Sequence, residues 1–167
     1  MNPEGLNPVP KDAADREAMI DAVTDAALDA LKVPRNLLGY GYLFLAVRYL
    51  VRRTDTAHVS MLRELYPYIA KKTGTGHVMV ERAMRYAIAR AWKQADPDVL
   101  YAYLGMRGTE LQTPPTNVEF VYIVAERVRL IVGDPAEAER TMRLFRNASR
   151  FGCGLRTEPV DGGLPLC

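Results

Sequence analysis

A chain of 167 residues can bury one core and is short for two, and 49% hydrophobic with 25% charged residues excludes both wholesale disorder and a fibrous architecture. A formal net charge of only +2 excludes a uniformly basic surface, so any charge that serves a polyanion has to be concentrated locally. Cys153 and Cys167 are the only cysteines, too few and too isolated for a disulfide scaffold, and they read as free thiols.

Met1 is followed by Asn-Pro-Glu-Gly-Leu-Asn-Pro, which has neither a basic start nor an apolar run; no secretory signal is expected and the chain reads as cytoplasmic. After a leader over 1–11, the spacing predicts a first helix over 12–31. It must stop near Val33, because the residue before Pro34 is pushed out of the helical region. Residues 1–33 carry seven acids against three bases, a balance of −4 that points this helix away from phosphate. A second helix is predicted over 37–53. Its apolar stretch at 37–51 is broken by Arg48 and falls short of the roughly 20 residues of a membrane span, so it reads as a core helix.

Residues 56–71 form one or two short helices interrupted near Pro67, and Gly74 supplies a turn. A strongly two-faced helix follows over 75–92. Asp96-Pro97 then opens a short helix that runs to Leu104 and ends at Gly105. Thr116-x-x-Glu119 is a capping box for a helix to about Val132, and Asp134-Pro135 opens a last one over 134–150. Residues 151–167, with four glycines and two prolines, read as a flexible tail. The expectation is an all-α protein with a single helical domain of six to seven helices over 12–133, plus the extra C-terminal helix.

The chemistry concentrates in 71–93. Val80, Ala83, Met84, Ala87, Ile88, Ala91 and Trp92 recur at spacings of three and four and face a core. Thr75, Val78, Arg82, Arg85, Ala89 and Lys93 fall on the opposite stripe, with Met79, Tyr86 and Arg90 beside them. Six Lys or Arg stand here against one acid, Glu81, a local balance of +5. The stretch reads as a nucleic-acid recognition element. Trp92 and Tyr40, Tyr42, Phe44 and Tyr49 lie in apolar stripes and belong to core packing rather than base stacking. His58 and His77 have no Cys/His cluster around them, Gly74-x-Gly76 lacks the setting of a phosphate-binding loop, and no nucleophile–base set stands out. No metal, no cofactor and no enzymatic role is expected.

These segments carry a resemblance. Val33-Pro34, Gly39-Tyr40-x-Tyr42-Leu43, Leu65-Tyr66-Pro67-x-Ile69-Ala70-Lys71-Lys72, Val80-Glu81-Arg82-Ala83-x-Arg85-x-Ala87-Ile88-x-x-Ala91-Trp92 and Pro115-Thr116-Asn117-x-Glu119-Phe120 resemble the C-terminal DNA-binding effector domain of the sporulation-initiation response regulator of endospore-forming bacteria. The likeness covers about 15–130 and implies an all-helical domain whose helix-turn-helix uses 65–73 as supporting helix and 75–92 as recognition helix. It also implies double-stranded DNA as partner and a homodimer favoured on DNA, bound head to tail on repeated sites. Two departures stand out. The family's receiver is an α/β domain of roughly 120 residues, which 33 residues of helical leader cannot contain, so the phosphorylation switch is expected to be missing. Met79 and Pro114 stand where the family has an arginine and a basic residue, which puts recognition of the family's own DNA sequence in doubt.

Arg82, central on the outer face, is the leading base reader, since its fork matches both acceptors of guanine. Glu81 either accepts from cytosine or pairs with Arg85 four residues on. Val78 and Met79 complete the base-contact candidates as apolar partners of a thymine methyl. Lys71, Lys72, Thr75, His77, Arg85, Tyr86, Arg90, Thr116 and Asn117 are the phosphate-contact candidates, with Lys93 too far along the helix to reach bases. Thr75 reads equally as a helix cap, and Thr116 and Asn117 as an ordinary helix start. The alternative function is a non-enzymatic protein-interaction module that retains the helical scaffold, with Val78 and Met79 in an exposed apolar patch.

Overall fold

A computed structural model describes residues 13–53, 58–104 and 113–134, together with positions 136 and 140. The described residues form six α-helices: α1 (Ala13–Ala30), α2 (Leu38–Arg52), α3 (Tyr66–Thr73), α4 (His77–Gln94), α5 (Pro97–Leu104) and α6 (Asn117–Gly133). No strand occurs among the described residues. The leader, the end of α5 at Gly105 and the tail lie outside them, as does nearly all of the expected helix over 134–150. Asp134, at its expected start, accepts from the Ala136 amide through its carboxylate at 2.9 Å.

Local chemistry accounts for each boundary. α1 is closed by Lys32 in the left-handed region, φ 59°. The Lys32 amide donates to the Asp29 carbonyl at 2.9 Å and the Val33 amide to Leu28 at 3.0 Å, the paired bonds of a Schellman ending, after which Pro34 bars continuation. Pro67 lies in the first turn of α3, where its missing N–H costs nothing. Ahead of it, Met61–Leu65 winds as a π-helical turn, with the Leu65 amide reaching back five residues to the Ser60 carbonyl at 3.1 Å. The interruption expected at Pro67 is therefore a widened turn before the proline, which keeps the ring clear of the preceding carbonyl. Asp96 caps α5 through the Asp98 amide at 2.8 Å, and Thr116 with Glu119 forms the full capping box of α6.

α2 is the hub. It buries Tyr42, Leu43, Ala46, Val47, Leu50 and Val51 and packs most extensively on α4 and α6, while α1 lies on α6 and α2. Each fully buried aliphatic side chain contributes about 1.5–3 kcal/mol, and Leu43, Val47, Val80, Ile88 and Val121 converge in one core. Trp92 lies partly buried against this core, in keeping with a packing role.

Charge is sorted by the same packing. The acids of α1 are taken up by arginines of α2 and its entry: Glu17 by Arg52 and Arg48, Asp21 by Arg48 at 2.7 Å, and Asp25 and Asp29 by Arg35. The bond from Arg52 holds the Glu17 carboxyl below its usual range, and Arg35 does the same to Asp25. These three arginines are thereby neutralised.

Candidate nucleic-acid interface

α3 and α4 are joined by a three-residue turn. Gly74 sits at φ 70°, ψ 26°, a left-handed geometry that glycine adopts without cost. The amides of Gly74 and Thr75 both donate to the Ala70 carbonyl, the second at 3.1 Å. The Thr73 hydroxyl returns to the Ile69 carbonyl at 2.8 Å and lies 3.0 Å from the Thr75 hydroxyl, which stands 3.5 Å from that of Tyr42.

Thr75 is consequently not the cap of the second helix. Its hydroxyl is turned into the joint, and the cap position falls to Gly76, which has no side chain to offer; α4 begins at His77 and ends at Gln94. The first amides of an 18-residue helix thus have no side-chain acceptor of their own.

Exposed cations gather at the end of α3 and along the outer stripe of α4. Lys71 and Lys72 lie exposed in the last turn of α3, and Arg82, Arg85, Arg90 and Lys93 are exposed along α4. Val78 (49% exposed), Met79 (54%) and Tyr86 (55%) share that outer side. The inner stripe of Val80, Met84, Ala87, Ile88 and Ala91 is buried, so packing fixes the rotation of the helix about its axis. His77 is exposed as well, but at 100° per residue it projects about 140° round the helix from Arg82, off the basic stripe.

Interactions within the face divide these side chains further. Arg85 is bonded to Glu81 four residues earlier at 2.5 Å, the local pairing that this spacing favours. Lys72 stands over the Tyr68 ring, 6.0 Å from its centroid. Arg82 makes no hydrogen bond or ion pair among the described residues. Arg90 makes none either, and of the two only Arg82 lies in the first turns of α4.

The start of α6 behaves differently from the cations. Thr116 is exposed, but its hydroxyl and amide are engaged with Glu119: the amide donates to the carboxylate at 2.8 Å and the hydroxyl at 2.9 Å. Those bonds lower the Glu119 pKa below its usual value and place a carboxylate where an anion would otherwise sit. Asn117 is buried, 5% exposed, and its side chain faces inward. The amide nitrogen donates to the Tyr66 hydroxyl at 3.1 Å and to the Glu81 carbonyl at 3.0 Å. Asn117 is therefore not brought to the basic face as a side-chain donor; it ties α6 to both helices of the pair. Nothing in the local sequence signals this, since the partners lie 51 and 36 residues away.

With this geometry in place, the family model described as sporulation initiation factor Spo0A C terminal matches residues 24–128. The chain belongs to this family. The match runs from within α1 to near the end of α6 and contains the whole α3–turn–α4 unit. Spo0A C-terminal domains are DNA-binding regulatory domains and not an enzyme family, and DNA binding is the activity that membership brings. Among the described residues no helix is long and apolar enough to cross a membrane.

Proposed function

We propose that this protein is a transcriptional regulator that binds double-stranded DNA sequence-specifically, with α4 lying in the major groove and α3 crossing the backbone. The observation that carries this reading is the concentration of exposed, unpaired positive charge: arginines 35, 48 and 52 are neutralised by α1, while Lys71 and Lys72 at the end of α3 and Arg82, Arg90 and Lys93 along α4 are exposed and make no ion pair among the described residues. In a helix-turn-helix the first turns of the second helix reach base edges. Val78, Met79, Glu81 and Arg82 occupy those turns. Arg82 reads a guanine, and Val78 and Met79 offer apolar surface to a thymine methyl. Lys71, Lys72, Arg85, Arg90 and Lys93 contact phosphate, as does Tyr86 through its hydroxyl. The uncapped amides after Gly76, with Thr75 and His77 beside them, suit a phosphate as well. Homodimers form on DNA, head to tail on repeated sites, in line with the family resemblance.

Selection from a random duplex library tests the assignment. The protein is expected to enrich one defined site, and the Arg82→Ala variant to lose preference at a single base pair of it. Enrichment of no sequence by the folded protein would overturn sequence-specific reading. The exposure of Val78 and Met79 favours a second reading, a protein-interaction module. In that case the same patch binds a protein surface and DNA affinity is negligible.

A further inference from the structure

We infer that Asn117 is a positioning residue for base reading: it anchors the peptide between Glu81 and Arg82 and so sets where the Arg82 side chain enters the groove. This rests on the DNA reading proposed above and adds to it a residue outside the helix-turn-helix. A primary amide has two N–H groups, and Asn117 uses them on the Tyr66 hydroxyl (3.1 Å) and the Glu81 carbonyl oxygen (3.0 Å). Tyr66 is the first residue of α3 and is itself buried; burial, ahead of the other influences, raises its pKa, so it stays a neutral hydroxyl. One side chain at the start of α6 thus holds the opening residue of the supporting helix and the backbone of the recognition helix at a fixed spacing.

The Glu81 carbonyl belongs to the same peptide unit as the Arg82 nitrogen. Planarity of that unit means that a bond to its oxygen constrains the Cα of Arg82 directly. Arg82 has no partner among the described residues to orient its guanidinium, so its aim is inherited from the backbone. The Asn117 side-chain oxygen is buried and has no hydrogen-bond partner among the described residues, so this amide contributes less to stability than a fully paired one would. Bidentate recognition of guanine, in contrast, depends on placement to a fraction of an ångström.

The test compares Asn117→Leu and Asn117→Ser with Val128→Ala, a fully buried α6 position chosen as a stability control. Two readouts are taken: discrimination between the selected site and the same site altered at the base pair that Arg82 reads, and amide hydrogen exchange over 81–86. For both Asn117 variants, discrimination is expected to fall at least about fivefold with affinity for random duplex at low salt changed less than about twofold, and exchange over 81–86 to quicken. In the Arg82→Ala background the Asn117 changes should cause no further loss of discrimination. Val128→Ala, at comparable loss of melting temperature, should leave discrimination intact. If the Asn117 variants keep full discrimination, or the control loses it equally, the positioning role is overturned. If wild type discriminates nothing, the DNA reading falls; unchanged exchange over 81–86 in the Asn117 variants sinks the anchor on its own account.

Discussion

Gly39 of α2 lies so close to Ala83 of α4 that a β-carbon at residue 39 would stand 2.2 Å from the Ala83 carbonyl oxygen and 2.6 Å from the Ala87 β-carbon. Both neighbours are parts of a helix with little room to yield. The central helix of the core therefore seats the candidate recognition helix directly, backbone against small side chains, one residue away from Arg82. Gly39→Ala should push the two helices apart and destabilise the protein by about 3 kcal/mol or more, the upper end of overpacking. Urea unfolding followed by circular dichroism measures this, and a loss under about 1 kcal/mol would show that the seat is compliant.

Any other residue at position 74 would be strained by conformation alone, since nothing stands within 4 Å of where its β-carbon would be. Gly74→Ala should cost about 1–2 kcal/mol, the usual left-handed penalty. A fall in melting temperature of about 3–8 °C is the expected reading. Gly76→Ala, at φ −81° in open space, serves as the comparison and should cost less, about 0.5 kcal/mol, through the poorer cap that alanine makes.

Much of this architecture is legible locally. Val33-Pro34, Asp96-Pro97 and Thr116-x-x-Glu119 mark helix ends through bonds made within a few residues, and the structure has each of them. The inner and outer stripes of α4 follow from period alone, because Val80, Met84, Ala87 and Ile88 are spaced for one face. What escapes the sequence is set by distant partners. Asn117 looks like any residue opening a helix until α6 is packed against Tyr66 and Glu81. Thr75 looks like a cap until Gly74 takes up the reversal and Tyr42 and Thr73 draw its hydroxyl inward. Gly39 carries no period that announces how near Ala83 will come.

Phosphate and base contacts should separate by mutation. Lys72→Ala is expected to weaken binding to all duplexes alike and to reduce the salt dependence, whereas Arg82→Ala should also flatten preference at one base pair by about 1–3 kcal/mol. Competition binding with a panel of single-base variants checks this. A change of sequence preference in Lys72→Ala would contradict the division of roles.

Acid should loosen the start of α6. Bonds from Thr116 hold the Glu119 carboxyl below the ordinary glutamate range, so the ionised form is favoured in the folded state. A lowered folded value gives stabilisation that is complete above the unfolded pKa and lost as pH falls through the folded one. Glu119→Gln keeps the geometry of the box without the titration. The wild type is expected to be the more stable near neutral pH, with the gap in melting temperature closing below pH 4.5. A gap that is constant with pH would remove Glu119 from the acid response.

The central claim is that the exposed cations of α3 and α4 meet phosphate, and salt titration of binding to duplex DNA tests it most directly. Lys71, Lys72, Arg85, Arg90 and Lys93 acting together predict a linear fall of log affinity against log salt with a slope of about −4 to −5 per protomer, at about −0.9 for each phosphate neutralised. Binding that is undetectable at low salt, or that has no salt dependence, would contradict the account.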